Sequence, residues 1–230
     1  MLMLSAIQIM PEFDPEKFLN SPIYAFDFQF MIGDVKDFLE FSENNIDLQY
    51  QQELQAIASR QDWDQFPPDY REYLEENINH RFHVSLSLRI RYGAVLAFTT
   101  SVEWSVKFLN MNALSPVPEK QDRTNHTVKV LKELSARTQL SLQSTIEDYE
   151  ALVNVRNCIV HSAGILRTYQ HKDTLSDSVA RLRGFSLEDW HIFGKQVCIE
   201  RGALNPYIDL MRELVIDLHR MMDEKGFMRP

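Results

Sequence analysis

A long run of apolar residues at helical spacing, between residues 128 and 160, constrains the fold of this chain more than any other feature. Its members recur mostly three or four positions apart and therefore share one face of an α-helix. They are Val128, Leu131, Leu134, Leu142, Ile146, Tyr149, Leu152, Val153, Val155, Ile159 and Val160. Gly164 follows, in the C′ position that ends many helices. We expect one helix of roughly 35 residues, straight or bent, whose apolar face other helices must cover.

The composition favours more helices of this kind. Only 7 Gly and 9 Pro occur among 230 residues, and 44% of the residues are hydrophobic. An all-β sandwich needs more turn residues, whereas a chain with few helix breakers is typical of an α-helical globule. We therefore predict an all-α fold in which helices form an antiparallel bundle.

Pro67 and Pro68 form the clearest break in the chain, because a helix cannot continue through them and they bias Phe66 to an extended shape. Asp69 follows as a candidate N-cap of the next helix. We divide the chain here into an acidic N-terminal helical extension, residues 1–66, and a helical domain, residues 67–230.

The other elements follow from local patterns. Residues 82–92 alternate between apolar and polar, as a strand does, but the pattern then continues at helical spacing, and we favour a helix over residues 83–111. Gly194 and Lys195 suggest the turn of a small β-hairpin over residues 190–199. The remaining predictions are an irregular lead-in over residues 11–22, one helix or a broken pair over 27–60, a loop over 112–125, a short helix within 172–183 and a last helix over 203–225.

The histidines and cysteines predict neither a metal site nor a disulfide framework. Cys158 and Cys198 are the two cysteines, and His80 and His83 lack further ligands at a suitable spacing. We expect no metal and no other cofactor. No apolar run reaches the roughly 18 residues of a membrane span, and no signal peptide is recognisable, so we expect a cytoplasmic protein without a membrane partner.

The net charge of −9 is unevenly distributed. Residues 1–78 hold 4 Lys and Arg against 16 Asp and Glu, a net charge of −12, whereas residues 79–165 hold 10 against 7, a net charge of +3. Acidity in the first third leaves the rest of the chain free to bind a polyanion. Arg89 and Arg91 either face phosphate or belong to a solvated face, and we prefer the solvated face.

Three polar residues stand at the end of the long predicted helix: Arg156, Asn157 and His161. Five residues separate Arg156 from His161, so about 140° separates them around a helix axis. One chain therefore does not present both on one face, and a two-fold interface would supply the missing half from a second copy. Histidine transfers protons near neutral pH, and arginine offers a planar fork for phosphate oxygens, a minimal set for cleaving RNA without metal.

These residues resemble the Arg-Asn-x-x-x-His signature of HEPN domains, and Glu103 resembles an acidic position in the preceding helix of many members. The resemblance implies a helical homodimer with Arg156 and His161 as catalytic residues and Asn157 and Glu103 in support. It further implies a metal-independent endoribonuclease of toxin–antitoxin, phage-defence or RNA-processing systems, with an antitoxin or nucleotidyltransferase as partner. Some toxin members carry a tyrosine two residues after the histidine, where this chain has Ala163, which argues against control by nucleotidylation there.

Three alternatives stay open. Arg156 and His161 are also suited to the end of a helix, where cations complement the dipole, with Glu103 as an ion-pair partner. A non-catalytic HEPN-like module would bind nucleotide, RNA or protein and use the motif as a dimer contact. An antitoxin-like or scaffold protein would use its acidic residues 1–78 to mask a basic partner.

Overall fold

The computed structural model describes residues 23–118, 125–190 and 193–229 and confirms a mostly helical bundle with one small antiparallel sheet. The helices are α1 (Ile23–Ala58), α2 (Tyr70–Asn79), α3 (Ser87–Asn112), α4 (His126–Thr138), α5 (Gln143–Ser162), α6 (Lys172–Arg181) and α7 (Asn205–Glu224). The strands are β1 (Phe185–Asp189) and β2 (Lys195–Ile199). The lead-in predicted over residues 11–22 lies outside the described residues. No helix among the described residues is long and apolar enough to cross a membrane.

The helix of the acidic extension shares the hydrophobic core of the bundle. α1 packs against α3 and α7, and its Phe28, Ile32, Val35 and Leu39 belong to the same buried cluster as residues of α3, α5 and α7. The first described third of the chain thus contributes apolar area to the common core, which is the main source of its stability. The division at residue 66 stays a prediction.

A buried ion pair joins α1 to α3. Glu43 is 5% exposed, and its Oε1 accepts a hydrogen bond of 2.6 Å from Nε of Arg91. Arg91 also donates from Nη1 to the carbonyl of Ile199 at 2.8 Å, so it connects both helices to β2. The interpretation of Arg91 as part of a solvated face was wrong, because its side chain is 17% exposed and fully engaged with these partners.

The long helix predicted from residue 128 to Gly164 is two helices, and that prediction was wrong. α4 ends at Thr138, and Gln139 takes a left-handed conformation with φ of 62°. The amide of Leu140 then donates to the carbonyl of Ser135, and the Ser135 hydroxyl donates to the carbonyl of Leu140. These bonds satisfy carbonyls at the end of α4 although no glycine occupies the left-handed position. The chain changes direction here before α5 begins.

The helix preferred over residues 83–111 is confirmed. Its first residues, where the sequence pattern also resembled a strand, belong to a π-helical segment, His80–Leu86, which lies between α2 and α3.

The break at Pro67 and Pro68 separates α1 from α2. Phe66 is extended, as its position before Pro67 predicts. Asp69 occupies the N-cap of α2, although its side chain makes no capping hydrogen bond.

The β-hairpin is present: its second strand is confirmed over residues 196–199, whereas its first strand lies before residue 190 and not after it. β1 pairs with β2 from Phe185 opposite Ile199 to Asp189 opposite Lys195. Gly194, with φ of 73°, belongs to a longer connection, and the amide of Trp190 donates to its carbonyl at 2.9 Å. Lys195 therefore pairs within the sheet and does not form the turn.

Candidate functional site

The helix that carries the polar motif ends in two left-handed residues. Ala163 has φ of 52° and Gly164 has φ of 80°, and both amides bond to the carbonyl of Cys158. Ser162 is the last helical residue and Ala163 is the C-cap, so Gly164 occupies the C′ position that the sequence predicts. Gly164 is required for another reason: a Cβ there would lie 2.1 Å from the hydroxyl oxygen of Tyr92.

Strand β2 holds this helix end in place. The amide of Val197 donates to the carbonyl of Gly164 at 2.9 Å, and Nε2 of Gln196 donates to the carbonyl of Ala163 at 3.2 Å. The Tyr92 hydroxyl of α3 donates to the carbonyl of Val197. Because the backbone beyond His161 is bonded on several sides, the last turn of α5 has a defined position relative to α3.

Arg156 is half-buried and only partly satisfied. Its Nη1 donates to Oδ1 of Asn157 at 3.0 Å, so the structure brings these two predicted site residues together. Its Nε is buried and has no hydrogen-bond partner among the described residues. Arginine keeps its charge at any pH a protein meets, and a buried N–H without a partner is costly. The guanidinium is thus oriented by a carboxamide and is not neutralised by a carboxylate of a described residue.

Tyr149 interacts electrostatically with Arg156. It is fully buried between α5 and α3, and its hydroxyl donates to the carbonyl of Thr99 at 3.3 Å. Burial raises the pKa of Tyr149, with Glu103 raising it further and Arg156 opposing them. Both predicted charges therefore act on the same buried phenol, although they form no ion pair with each other among the described residues.

Glu103 and His161 lie at different levels of the bundle. Tyr92 of α3 meets Gly164, whereas Thr99, further along α3, meets Tyr149, so α3 and α5 are antiparallel. At a rise of about 1.5 Å per residue, Glu103 is on the order of 15 Å from His161 along the axis. The acidic residue is thus associated with the Arg156 end of the motif and not with the histidine.

His161 is exposed and makes no hydrogen bond with a described residue. Beside it, Val160 is 51% exposed, although the sequence pattern had placed it on the buried face. Val160 is four residues after Arg156, so it lies on the same side of α5. The sequence interpretation assigned no site role to this exposed apolar side chain between Arg156 and His161. It also assigned none to Tyr149, seven residues before Arg156.

No protein-family model, no curated protein and no solved structure matches this chain. Its function therefore has to be argued from the geometry of α5 and α3. That geometry offers a cation that no described carboxylate neutralises, a solvent-facing imidazole and an exposed apolar residue between them. This combination suits recognition of a phosphate group at a surface shared with a second molecule.

Proposed function

We propose that the chain is a metal-independent endoribonuclease of the HEPN type that acts as a homodimer. The observation that supports this most directly is the half-buried guanidinium of Arg156, which donates to Asn157 and forms no salt bridge with a described residue. A phosphodiester supplies the charge-assisted acceptors that this group lacks.

The reaction follows from the two side chains. The 2′-hydroxyl of the RNA attacks the adjacent phosphorus while the bond to the leaving 5′-oxygen breaks, which yields a 2′,3′-cyclic phosphate and a 5′-hydroxyl end. His161 accepts the proton of the 2′-hydroxyl or donates one to the leaving oxygen. Arg156 stabilises the charge that develops on the non-bridging oxygens. The net proton balance is zero, since one proton leaves the nucleophile and one reaches the leaving group.

A second copy of the chain is part of the proposal because one chain does not present both groups to one phosphate. The roughly 140° between Arg156 and His161 directs them to opposite sides of the last turns of α5. Val160, 51% exposed between them, provides an apolar contact for a two-fold interface. In such a dimer, Arg156 of one copy and His161 of the other flank one cleft.

The experiment is RNA cleavage by the purified chain with EDTA present, on single-stranded and structured RNA. We expect cyclic-phosphate products for the wild type and no cleavage for His161→Ala. His80→Ala is the matched control, because His80 is also exposed but lies in the π-helical segment, and this variant should cut normally. Cleavage that survives His161→Ala would exclude this assignment.

A second candidate is a non-catalytic module that binds nucleotide, RNA or protein with the same surface. The distance between Glu103 and His161 favours it, since the acidic residue cannot assist the histidine within one chain. In this case the wild type cuts no RNA, and Arg156→Ala dissociates the dimer or abolishes binding. Sedimentation velocity of the wild type and Arg156→Ala separates the two candidates when it is combined with the cleavage assay.

A further inference from the structure

α1 carries a second apolar surface, far along the chain from the polar motif. Phe38, Phe41 and Leu48 are 50%, 73% and 55% exposed. Together with the exposed Asn45 they follow one another at intervals of three and four residues, which places them along one side of the helix. This is the spacing at which a helix contacts a partner helix, with one polar residue in an otherwise apolar seam.

The described helices of the bundle leave this seam exposed. α1 buries another side, with Ile32, Val35, Leu39 and Ile46, against α3 and α7. Two phenyl rings and a leucine on the outside of a helix expose more apolar area than isolated surface residues do, and such contiguous patches mark interaction surfaces.

The charges beside the seam are unbalanced. Asp34 and Asp37 are exposed and form no salt bridge with a described residue. Elsewhere on the same helix, Asp47 and Glu53 are paired with arginines of other elements, and Glu40 lies beside Arg201. Two unpaired carboxylates at one end of an apolar seam attract a cationic partner and repel an anionic one.

We propose that this seam binds a basic amphipathic helix of a protein partner. A second copy of the chain fits less well, because its own α1 would bring the same carboxylates into the interface. RNA and anionic lipid are disfavoured for the same electrostatic reason. The seam spans residues 38–48, about 15 Å at the rise of an α-helix, which matches a short helical segment. The inference does not depend on RNA cleavage, since α1 contributes nothing to the proposed chemistry.

The probe is a fluorescent synthetic helix of about 21 residues, with leucine at both seam positions of each heptad and lysine beside them. Fluorescence anisotropy at about 0.15 M salt measures its affinity for the full chain. We expect Phe38→Ala combined with Phe41→Ala to weaken binding by about tenfold or more. Trp104→Ala, which removes a 57% exposed aromatic residue from α3, is the control and should bind as the wild type does.

Charge is tested separately. Replacing Asp34 and Asp37 with Asn should weaken binding several-fold and reduce its salt dependence. A peptide with glutamate in place of lysine should not bind. Equal affinity of the phenylalanine double variant and the wild type would overturn the proposal, as would equal binding of the glutamate peptide. A wild-type dimer that this double variant dissociates in sedimentation would assign the seam to a second copy instead.

Discussion

Removing the carboxylate of Glu43 should destabilise the protein strongly. Glu43 is 5% exposed, accepts a hydrogen bond of 2.6 Å from Arg91 and lies 3.3 Å from Nε of Arg201. Breaking a buried pair by removing one partner costs about 3–5 kcal/mol, because the other charge stays buried without compensation. Arg91 keeps its bond to the carbonyl of Ile199, so we expect the lower end, about 3 kcal/mol, for Glu43→Ala.

Thermal and urea unfolding followed by circular dichroism measure this loss. For a chain of this size, about 3 kcal/mol corresponds to a decrease in Tm of about 6–12 °C. Glu150→Ala is the matched control, because Glu150 also forms an ion pair, with Lys132, but both side chains are nearly half exposed. Exposed pairs contribute at most about 1 kcal/mol, so this variant should unfold close to the wild type.

A double variant tests the cause of the effect. If the uncompensated charge of Arg91 is responsible, Glu43→Leu combined with Arg91→Met should be more stable than Glu43→Leu alone. The reasoning is refuted if Glu43→Ala lowers the Tm no more than Glu150→Ala does. It is also refuted if the two substitutions are simply additive, since additivity means that the residues do not interact.

Three further predictions concern single residues. Gly164→Ala should lower the free energy of unfolding by about 2–4 kcal/mol, because residue 164 has a positive φ and the added Cβ would overlap Tyr92. Gly93→Ala is the control: a Cβ there meets open space inside α3, so this variant should raise the free energy of unfolding by up to about 1 kcal/mol. Urea unfolding measures both. Burial lowers the pKa of His219 from its ordinary value of 6.5, so below pH 6.5 the unfolded chain binds a proton that the folded chain resists, and stability falls as the pH drops. The loss is about 1.4 kcal/mol for each unit by which the pKa is lowered, and a His219→Leu variant with an unchanged pH profile would contradict it. Burial raises the pKa of the Cys158 and Cys198 thiols from 9.0 to about 11. The reactive thiolate is therefore scarcer, and alkylation at about pH 8 should be about 100-fold slower in the folded chain than in urea. Mass spectrometry measures the two rates, and equal rates would disprove this.

The fold class could be predicted from the sequence because apolar periodicity and scarce helix breakers are properties of the chain itself. The break after α4 could not be, since Gln139 is not a residue that commonly adopts a left-handed conformation. Its conformation depends on reciprocal hydrogen bonds between Ser135 and Leu140, which exist only once the turn has formed. The apolar pattern did carry one sign of it, because the spacing of three residues stops at Leu134 and the next leucine is Leu140.

The hairpin and the polar motif show the same limit. Gly194 was read as the centre of a two-residue turn, but pairing of Phe185 with Ile199 buries both and determines the register. In the motif, the angle between Arg156 and His161 follows from helix geometry alone. The separation of Glu103 from His161 does not, because it depends on the antiparallel packing of two helices that are not neighbours in sequence.

The attachment of β2 to the end of α5 has a kinetic consequence. Helix ends normally fray, and their amide protons exchange with solvent through small local openings. Here the carbonyls of Ala163 and Gly164 are bonded to Gln196 and Val197, so the final turn cannot unwind while the strand remains in place. The turn and the strand should therefore open as one cooperative unit, with similar hydrogen-exchange rates. A substitution in the hairpin that leaves the resting structure unchanged would then alter how often His161 leaves its position.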